Sequence, residues 1–583
     1  MATNAELAGR FEEFADLLEA DGVEYKPRAY RRAAENIRAF PIPIADRLAD
    51  GDEAVLEEIE GVGDAISSKI VEYVETGHIE ELEELRAELP IDIADITRIE
   101  GVGPKTAGKL YRKLDIETLD DLEAAAEAGE IKTVKGFGPK TEENIRDNIE
   151  FARQVGQRQL LGAGRPLADD VLAYLEGLEA TERCEVAGSI RRWRATIGDV
   201  DVLVGTDDAD AVLESFLEWD SVDSEIESGP EKASVRIGES RVDLRVVVPE
   251  EFGSALQYFT GSKDHNVRLR NYAIDRGMKL NEYGAFDVSE VGDDETGQRV
   301  GRRVAGETEA GMYEALGLPW IPPELREDRG EISAAETDAL PELLTRETIR
   351  GDLHTHTEWS DGTTTIEEMV AAAETLGYEY YAVADHAEGP GVVGNVGLSD
   401  AEIIEQLEEI RAVDAEYDIT VLAGIEANID AEGEIGLSEE VIDALDVIVA
   451  SPHSGLSQDG ETATERLVRA IENPAVDVVG HPSGRLLNER SGLEFDTTAL
   501  AKTAAETGTA LEINSNPRRL DLWGSAVQVA IEEGAPIAIN TDAHRPATLE
   551  YIRWGVHTAR RGWAEADDVI NTWELDELQA FLH

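Results

Sequence analysis

Histidine is rare in this chain of 583 residues, yet six of its ten histidines follow short apolar runs in the C-terminal part. Two aspartates and one glutamate occupy similar positions. Neutral imidazoles and carboxylates are ligands of Zn²⁺, Mn²⁺ and Fe²⁺, and this set is too large for one ion, which takes about four to six ligands. The pattern therefore predicts a cluster of two or three divalent cations; the alternative is a set of unrelated polar residues in strand-end loops. The candidate ligands are His354, His356, Asp361, His386, Glu426, His453, His481, Asp542 and His544.

Three aspartates in the middle of the chain form a second candidate site. Asp199 and Asp201 lie two residues apart in GDVDVLV and point to one face of a strand, and Asp243 lies in another strand-like run, RVDLRVVV. Three carboxylates on one face repel each other unless cations bridge them, and Mg²⁺ binds such carboxylates together with substrate phosphates. Two metal ions placed in this way activate a 3′-hydroxyl group and stabilise a leaving pyrophosphate. An Asp-x-Asp pair alone is also common at a solvated strand edge.

A third pattern repeats three times near the N-terminus, at residues 59–70, 99–110 and 134–145. Each copy has an apolar residue, a Gly-x-Gly turn and a helix-like sequence, and it resembles a helix-hairpin-helix motif. Glycines in such a turn present backbone N–H groups at the start of the helix, which suits a DNA phosphate. The alternative is an ordinary turn between helices. The candidate DNA contacts are Gly61, Gly63, Gly101, Gly103, Gly136 and Gly138, with Lys26 and Arg31 from the basic stretch KPRAYRRAAENIR.

The elements that must position these residues change along the chain. Residues 1–150 show the spacing of short helices, and strand-like runs begin near residue 185. Residues 326–348 are charged and poorly periodic, and we interpret them as a linker. Beyond this segment, apolar runs alternate with helical patterns, which predicts parallel strands in a barrel or an open sheet. The C-terminal ends of barrel strands meet on one face, where active sites lie.

The composition limits the class of protein. The length suggests about three to five domains. Cys184 is the only cysteine, which excludes an internal disulfide and cysteine-based zinc sites and fits a reducing cytoplasm. No apolar run is long enough to span a membrane and the first residues are polar, so we expect a soluble cytoplasmic protein without a signal peptide. The formal net charge of −71 is spread along the chain and would be screened at molar salt, which predicts adaptation to a salt-rich cytoplasm.

The stretches GSIRRWRATIGDVDVLV, RVDLR and YFTGSKDHNVRLRNYA together resemble family X DNA polymerases of the DNA polymerase beta type. The resemblance covers residues from about 5 to 325 and implies that Asp199, Asp201 and Asp243 hold catalytic Mg²⁺ or Mn²⁺. Two residues depart from the vertebrate pattern: Ile197 replaces a small hydroxyl residue near the phosphates, and Lys263 replaces an acidic residue beside the incoming base. The residues implied in nucleotide binding are Gly188, Ser189, Arg192, Tyr258, Phe259, Gly261, Asn266 and Arg270.

The same resemblance places Lys69, in GVGDAISSKIVEY, at the position of a lyase lysine. Such a lysine forms a Schiff base with the 5′ sugar phosphate at an incised abasic site, and it must be a neutral amine to react. Burial or nearby cations would have to lower its pKa. The alternative is a simple phosphate contact, since Ala65 and Tyr25 replace a lysine and a histidine of the family's pocket.

The C-terminal motifs HTHTEWSD, DH, GIE, PH, GHP and TDAH together resemble the PHP (polymerase and histidinol phosphatase) domain over about residues 349–575. The resemblance implies a trinuclear metal site and phosphoester hydrolysis. Water bound at such metals is acidified towards neutrality and attacks phosphorus. The sequence does not choose between Zn²⁺, Mn²⁺ and Fe²⁺.

Both resemblances together predict a prokaryotic family X DNA polymerase with a PHP domain, acting in DNA repair as a monomer. One site would add deoxynucleotides from dNTPs to a primer in gapped or nicked duplex DNA. The other would act as a 3′-5′ exonuclease, a 3′-phosphatase or an abasic-site endonuclease. The alternatives are a small-molecule phosphatase of the histidinol-phosphatase kind and a DNA-end-binding scaffold without catalysis.

The predicted fold is multidomain, with a helical region followed by α+β and α/β domains. The predicted domains are a helical, lyase-like DNA-binding domain (1–85), a helix-hairpin-helix domain of the fingers type (86–155), a nucleotidyltransferase palm (156–250), a thumb-type nucleotide-selection domain (251–325), the linker (326–348) and a PHP domain with a distorted barrel (349–583).

Overall fold

A computed structural model of the chain describes residues 4–23, 26–40, 44–49, 53–59, 61–97, 99, 102–139, 141–142, 145–146, 149, 158–238, 240–291, 297–389, 396–456, 458–488, 490 and 492–582. The chain divides into two compact units. The first contains residues 1–159 and 205–308, and the second contains residues 160–204 and 309–583.

The N-terminal part of the first unit is a bundle of short helices around an apolar core. Leu7, Phe11 and Phe14 lie on one side of the first helix and are fully buried, as their helical spacing predicts. Tyr30 from the second helix stacks on Phe11 with 5.8 Å between ring centroids and lies 4.8 Å from Phe14, which fixes the first pair of helices. The helices are Asn4–Asp21, Lys26–Ala39, Ile44–Ala49, Asp64–Thr76, Glu80–Glu88, Ile93–Ile96, Pro104–Leu114 and Leu119–Ala128.

The rest of the first unit is α+β. Three antiparallel strands, Ser224–Ser228, Lys232–Ile237 and Ser240–Val247, pair in sequence order. The last strand alternates buried and half-buried residues, so Asp243 lies on the face opposite the buried side chains of Val242 and Leu244. The remaining elements are the helices Ala209–Leu217, Phe252–Thr260 and Lys263–Ile274 and the antiparallel strands Met278–Asn281, Gly284–Asp287 and Arg302–Ala305.

The second unit begins with a small α/β segment. Its helices are Leu161–Glu176 and Gly188–Arg191, and its strands are Arg183–Val186, Thr196–Ile197 and Val200–Gly205. The two-residue strand Gln159–Leu160 spans the boundary between the units in the chain.

The segment predicted as a linker, 326–348, contains the helix Glu331–Glu336. Its first residue, Arg326, is fully buried and donates a 2.6 Å hydrogen bond to Glu309, in the neighbouring helix Glu309–Glu314. Charged residues are therefore buried as ion pairs in this segment. The spacing of apolar residues in the sequence does not reveal such burial. The boundaries of the predicted domains stay predictions.

The C-terminal part of the second unit is a sheet of seven parallel strands that pair in sequence order. A parallel bridge between Thr355 and Ala543 connects the segments that follow the first and last strands, so the sheet is nearly closed. The predicted distorted barrel is confirmed. The strands are β1 (Gly351–Asp352), β2 (Tyr380–Val383), β3 (Thr420–Asn428), β4 (Val447–Ser451), β5 (Val478–Val479), β6 (Ala510–Asn514) and β7 (Ile537–Asn540).

Helices surround this sheet and bury its apolar outer side. Capping boxes at Thr365 and Ser399 begin two of them, where the side-chain oxygen accepts from a backbone N–H and a glutamate reaches back. The helices are Ile366–Thr375, Asp400–Asp414, Glu439–Ile442, Gly460–Ile471, Thr497–Thr507, Gly524–Glu532, Ile552–Arg561 and Leu575–Phe581. Among the described residues, no helix combines the length and apolar character that crossing a membrane requires.

Candidate active sites

Glu426 lies at the centre of a buried cluster of histidines. It is near the end of β3, and its carboxylate is fully buried. One oxygen, Oε1, lies 3.0 Å from Nε2 of His481 and 3.3 Å from Nε2 of His453, while Oε2 lies 2.6 Å from Nδ1 of His386. The strands bring these residues together because Glu426 lies in β3 and the histidines follow β2, β4 and β5 within three residues, and these four strands are consecutive in the sheet.

A second group of ligand atoms surrounds His356. Its Nε2 lies 3.1 Å from Oδ1 of Asp542, and its ring centroid lies 4.5 Å from that of His386 and 4.4 Å from that of His544. Asp361 approaches His544 to 3.1 Å. All nine candidates thus meet on one face of the barrel, in overlapping groups whose ligand atoms lie within 4.8 Å of one another: His356, Asp361, His386 and His544; His354, Glu426 and His481; His354, His356 and Asp542; and His386, Glu426 and His453.

The polar atoms of this cluster fit divalent cations. Within the described residues, both carboxylate oxygens of Glu426, both ring nitrogens of His356 and Nε2 of His354 are buried and accept or donate no hydrogen bond of regular geometry, although histidine nitrogens lie within ion-pair distance of Glu426. Leaving such atoms unpaired in the interior costs free energy, and metal coordination removes the cost. The three or four ligand atoms of each group suit an open metal site that keeps a position for water or substrate.

Electrostatics favours the protonation state that a metal ligand needs at Glu426 and at His356. At two other histidines the nearby carboxylates outweigh burial and raise the pKa, to about 10 at His386 and about 9 at His544, so a cation bound there must displace a proton. Burial opposes the charge of Glu426, but His453, His386 and His354 outweigh burial and hold the pKa of its carboxyl well below the usual value. Burial, with a smaller contribution from His544 and His386, lowers the pKa of His356 to about 4. At neutral pH, Glu426 is therefore an anion and His356 a neutral imidazole with a free lone pair.

Four further side chains orient the ligands, and the sequence alone did not identify them. Glu512, in β6, is fully buried and accepts a 2.7 Å hydrogen bond from Nδ1 of His354. Partners of this kind fix the tautomer and the direction of a ligating ring. The available signal was an acidic residue inside the apolar run TALEIN. The other three are Asn540, 3.0 Å from Glu512, Asn428, 2.6 Å from Nδ1 of His453, and Asn514, 3.0 Å from Asp542.

In the same unit, Gly188 packs directly against Asp201. Gly188 has a positive φ of 60°, and a Cβ atom added to it would lie 1.9 Å from Oδ2 of Asp201. The backbone N–H of Ala187 donates a 2.8 Å hydrogen bond to the carbonyl of Asp201. Only glycine fits this position, so the turn before Ser189 and the strand that carries Asp201 are held together closely.

Arg192, a predicted phosphate contact, forms an ion pair in the structure. Its Nε lies 3.1 Å from Oε1 of Glu327, and both side chains are largely buried. Asp199 immediately precedes the strand Val200–Gly205, and Asp201 is its second residue. Asp201 thus lies in a strand as predicted, whereas Asp199 lies one residue before it, and their role as metal ligands stays a prediction.

In the first unit, Asp243 is paired with an arginine on its own strand. Nε of Arg241 donates to both carboxylate oxygens of Asp243, at 2.9 and 3.0 Å. Nearby in the sequence, Tyr258 and Phe259 end the helix Phe252–Thr260 and contact each other edge to face at 5.2 Å.

The helix after Gly261 carries the remaining nucleotide-binding candidates. Asn266 is oriented by a 2.6 Å hydrogen bond to the carbonyl of Tyr258, whereas Arg270 is exposed. Lys263 lies 3.4 Å from Glu12, in the first helix of the chain. The acidic residue that the polymerase pattern would have at 263 is thus replaced by a lysine with an acidic partner.

In the first two copies of the repeated motif, the second glycine of the Gly-x-Gly turn begins a helix, as predicted. Gly63 is the N-cap of the helix Asp64–Thr76, and Gly103 is the N-cap of the helix Pro104–Leu114. No described atom lies within 4 Å of a Cβ built on Gly63, Gly103 or Gly138, so a phosphate could approach these turns. Gly61 and Gly136 have positive φ angles of 84° and 101°. Gly101 lies outside the described residues.

Comparison with known proteins covers both halves of the chain. The helix-hairpin-helix domain matches residues 2–79, the SAM-like helix-hairpin-helix tandem matches 53–114 and 93–150, the DNA polymerase beta thumb matches 255–327 and the PHP domain matches 352–516. The DNA polymerase/3′-5′ exonuclease PolX of Bacillus subtilis (strain 168) is 36% identical over 563 residues, which are 96% of this chain and 95% of that protein. The chain belongs to the family X DNA polymerases that carry a PHP domain.

Two other relatives each match one part of this family X chain. DNA polymerase lambda of Rattus norvegicus is 27% identical over 350 residues, 56% of each chain. A probable phosphatase of Caldanaerobacter subterraneus subsp. tengcongensis is 33% identical over 205 residues, 33% of this chain and 75% of that protein. The predicted helix-hairpin-helix region, polymerase thumb and PHP domain are thus confirmed, while the predicted adaptation to high salt stays a prediction.

The lyase candidate of this family X chain is held by an acidic residue. Nζ of Lys69 lies 2.6 Å from Oε2 of Glu81, and its side chain is 15% exposed. Burial disfavours its charge, but the hydrogen bond to Glu81 and the nearby Tyr30 raise its pKa above the usual value. Arg31, one of the predicted DNA contacts, forms 2.6 Å ion pairs with Asp16 and Glu19. Lys26 is exposed, 3.8 Å from Glu81.

Proposed function

We propose that the chain extends DNA primers at the aspartate site and hydrolyses 3′-terminal phosphodiesters at the histidine cluster. The observation that carries the proposal is the coverage of one relative, a DNA polymerase/3′-5′ exonuclease, which spans both candidate sites. The cluster of ligand atoms at one face of the PHP barrel supports the second activity independently. Filling of short gaps during DNA repair is the role that both activities serve.

At the polymerase site, Asp199, Asp201 and Asp243 would hold Mg²⁺ or Mn²⁺. Carboxylates are the ligands that Mg²⁺ prefers, and the lack of a side chain at Gly188 leaves room beside Asp201. When bound, the cations supply activation of the 3′-hydroxyl group and neutralisation of the leaving pyrophosphate. Ser189, the second residue of the helix Gly188–Arg191, would donate a hydrogen bond to a triphosphate oxygen.

At the PHP site, the nine candidates would hold two or three Zn²⁺, Mn²⁺ or Fe²⁺ ions. When bound, these cations supply Lewis-acid activation of water and of the scissile phosphodiester. Glu512 keeps the proton of His354 on Nδ1, so Nε2 presents its lone pair to the cluster. Arg519, whose Nε lies 3.7 Å from Oδ2 of Asp542, is placed to neutralise charge on a phosphate at the cluster.

The helix-hairpin-helix region would bind DNA through its phosphates. Backbone N–H groups at the open turns of Gly63, Gly103 and Gly138 suit phosphate oxygens without reading bases. This mode of binding is consistent with a repair enzyme that acts at gaps of any sequence. It also permits DNA binding by a chain with a formal charge of −71, because the contacts are local.

A primer-extension assay tests the polymerase proposal. The purified chain, in the salt concentration that gives the strongest far-UV circular dichroism, is incubated with Mg²⁺ or Mn²⁺, dNTPs and a 5′-labelled primer in a short gap. Extension by template-directed nucleotides supports the proposal. Binding of the gapped DNA without extension by folded protein would instead favour the DNA-end-binding scaffold.

The similarity to a probable phosphatase favours one alternative for the PHP site, hydrolysis of small phosphomonoesters. Parallel assays distinguish the substrates: a 3′-labelled primer, a primer with a 3′-phosphate, duplex DNA with an abasic site, and histidinol phosphate. We expect release of 3′-nucleotides from the primer. Turnover of histidinol phosphate alone would assign the PHP site to a small-molecule phosphatase.

A further inference from the structure

The second unit contains a cavity of about 370 Å³ that none of the candidate metal ligands lines. Its walls come from the segment Trp193–Thr196, from Glu327 and Arg329, and from Arg485, Trp523 and Arg561 in the C-terminal part of the unit. The volume is within the range of sites that bind small molecules.

Four arginines line this cavity, and one glutamate faces them. Arg194 and Arg561 lie 3.2 and 3.1 Å from the carboxylate of Glu327, which also pairs with Arg192 outside the lining. A single carboxylate thus serves three guanidinium groups. Arg329 and Arg485 have no acidic partner within ion-pair distance among the described residues. Their side chains donate to the backbone instead: Arg329 to the carbonyl of Arg561, and Arg485 to the carbonyls of Arg519, at 2.8 Å, and Leu520.

The lining of the cavity carries more positive than negative charge. Nε of Arg329 is buried and has no hydrogen-bond partner among the described residues. Burial lowers the pKa of Arg561 to about 10, with the neighbouring Arg194 and Arg329 adding to the effect, and burial also lowers the pKa values of Arg329 and Arg485. Arg194 is exposed and the other three arginines are half-buried, while Glu331, Glu532 and Asp521 lie near enough to act on Arg329 and Arg485 without lining the cavity. An anion in the cavity would reduce the repulsion between the arginines and accept a hydrogen bond from Nε of Arg329.

The start of a helix adds further donors to the same wall. The helix Gly524–Glu532 begins at Trp523, no side chain caps it, and Gly524 and Ser525 line the cavity. The first N–H groups of a helix lack intrahelical acceptors and carry partial positive charge. Guanidinium forks and helix N–H groups are the two kinds of donor that bind phosphate best.

The cavity and the PHP metal cluster share a loop. The carbonyl of Arg519 accepts the hydrogen bond from Arg485, while the side chain of Arg519 lies 3.7 Å from Asp542, a candidate metal ligand. A ligand held by Arg485 would therefore lie next to the loop that borders the hydrolytic site.

We propose that this arginine cavity binds the phosphate of a nucleotide, either free or within a single DNA strand. The four arginines supply forked donors, the helix start supplies N–H groups, and the volume accommodates one nucleotide. The inference goes beyond the two proposed activities, since it concerns binding at residues that belong to neither catalytic site.

Equilibrium dialysis of the metal-loaded full-length protein tests the proposal. The probes are labelled dAMP and a labelled oligothymidylate with phosphorothioate linkages, which resist hydrolysis. The variants are Arg329→Gln and Arg485→Gln, with Arg469→Gln as a matched control, because Arg469 is an exposed arginine of the same unit, outside the cavity. All proteins are compared at one salt concentration at which circular dichroism shows them folded.

We expect both cavity variants to bind at least one probe about tenfold more weakly than wild type, with the control unchanged. If the cavity variants bind dAMP more weakly but bind the oligonucleotide as wild type does, the cavity is a site for a free nucleotide. If they bind only the oligonucleotide more weakly, it is a site for a DNA strand. Equal affinity of all four proteins for both probes overturns the proposal. If the glutamine variants do not fold, Arg329→Lys and Arg485→Lys replace them: weaker binding supports the proposal, and wild-type affinity contradicts it.

Discussion

Glu512 accepts a 2.7 Å hydrogen bond from Nδ1 of His354, and both side chains are fully buried. The second oxygen of Glu512 accepts from the backbone N–H of His481, at 2.6 Å. One carboxylate thus orients a ring at the end of β1 and the backbone at the end of β5. This arrangement turns Nε2 of both histidines towards Glu426.

Replacement of Glu512 should therefore weaken metal binding without removing a ligand. We expect Glu512→Ala to lower the affinity of the PHP cluster for Zn²⁺ or Mn²⁺ by about 10- to 100-fold, because His354 loses the partner that fixes its tautomer. Competition with a coloured chelator measures the affinity. Glu506→Gln, on the exposed side of the helix Thr497–Thr507, is the control and should behave as wild type. Unchanged affinity in folded Glu512→Ala would show that Glu512 has no part in metal binding.

The case of Glu512 shows what the sequence could predict about the candidate metal cluster. The positions of the nine candidate ligands followed from their place after apolar runs, because parallel strands bring such ends together. Glu512 lies in the middle of β6 and Asn428 is the last residue of β3, and only polarity distinguishes these orienting residues from their neighbours in the strands. Their partners are distant in sequence, so spacing along the chain could not identify them.

The segment 326–348 shows a second limit. Its charged sequence predicted a linker, yet Arg326 is fully buried in a pair with Glu309, and Glu331 is fully buried as well. A buried charge pair has the same composition as a solvated one, so only tertiary structure distinguishes them. The arginine cavity was missed for the same reason, because its residues are far apart in the chain.

The two activities should be separable by single substitutions. Asp201→Ala removes a predicted polymerase ligand, so we expect primer extension to fall at least about 100-fold with 3′-hydrolysis retained. His453→Ala, at the PHP cluster, should do the reverse. Both activities are measured on the same labelled gapped DNA, with and without dNTPs. Loss of both activities in either folded variant would contradict two independent sites.

Gly188 should be required for primer extension because of its contact with Asp201. In Gly188→Ala, the new Cβ would lie 1.9 Å from Oδ2 of Asp201, and the positive φ adds backbone strain, so the carboxylate must move. We expect primer extension to fall at least about tenfold with hydrolysis unchanged.

Gly9→Ala is the matched control for Gly188→Ala, since Gly9 lies in the first helix and nothing described lies within 4 Å of its added Cβ. The control should keep full activity. Wild-type extension by Gly188→Ala would show that Asp201 tolerates displacement, which would count against its role as a metal ligand.

Glu324 should make the stability of the second unit depend on pH in acid. Burial opposes its charge, but hydrogen bonds and charge interactions with His557 and Arg560 outweigh burial and lower its pKa to about 2. Because the folded value lies below the unfolded value of about 4.3, the ionised form stabilises the fold above about pH 4 and this contribution is lost as pH falls towards 2. Its full size is on the order of 3 kcal/mol.

The test of Glu324 compares Glu324→Gln with wild type in thermal unfolding at pH 7, 5, 4 and 3. We expect the variant to unfold at a lower temperature at pH 7 and the difference to shrink below about pH 4. Glu342→Gln provides a control with an exposed glutamate of the same unit, for which the difference should be small at every pH. A difference for Glu324→Gln that does not change with pH would mean that its charge is not what stabilises the fold.

Lys69 tests the lyase prediction, and Glu81 determines the pH at which it can be tested. The ion pair raises the pKa of Lys69, so the amine is protonated at neutral pH and cannot form a Schiff base. We expect borohydride trapping on 5′-deoxyribose-phosphate DNA to increase as pH rises above neutrality. In Glu81→Gln, burial remains while the ion pair is lost, so the pKa of Lys69 falls and trapping should occur at lower pH.

Lys109→Ala is the matched control for Lys69→Ala, because Lys109 lies six residues after Gly103 as Lys69 lies six residues after Gly63. The adduct should disappear in Lys69→Ala and persist in Lys109→Ala. An adduct that persists in Lys69→Ala places the nucleophile elsewhere. If no protein forms an adduct at any pH, Lys69 is a phosphate contact only. Lys69→Ala should then weaken DNA binding and reduce the slope of log affinity against log salt concentration by about one.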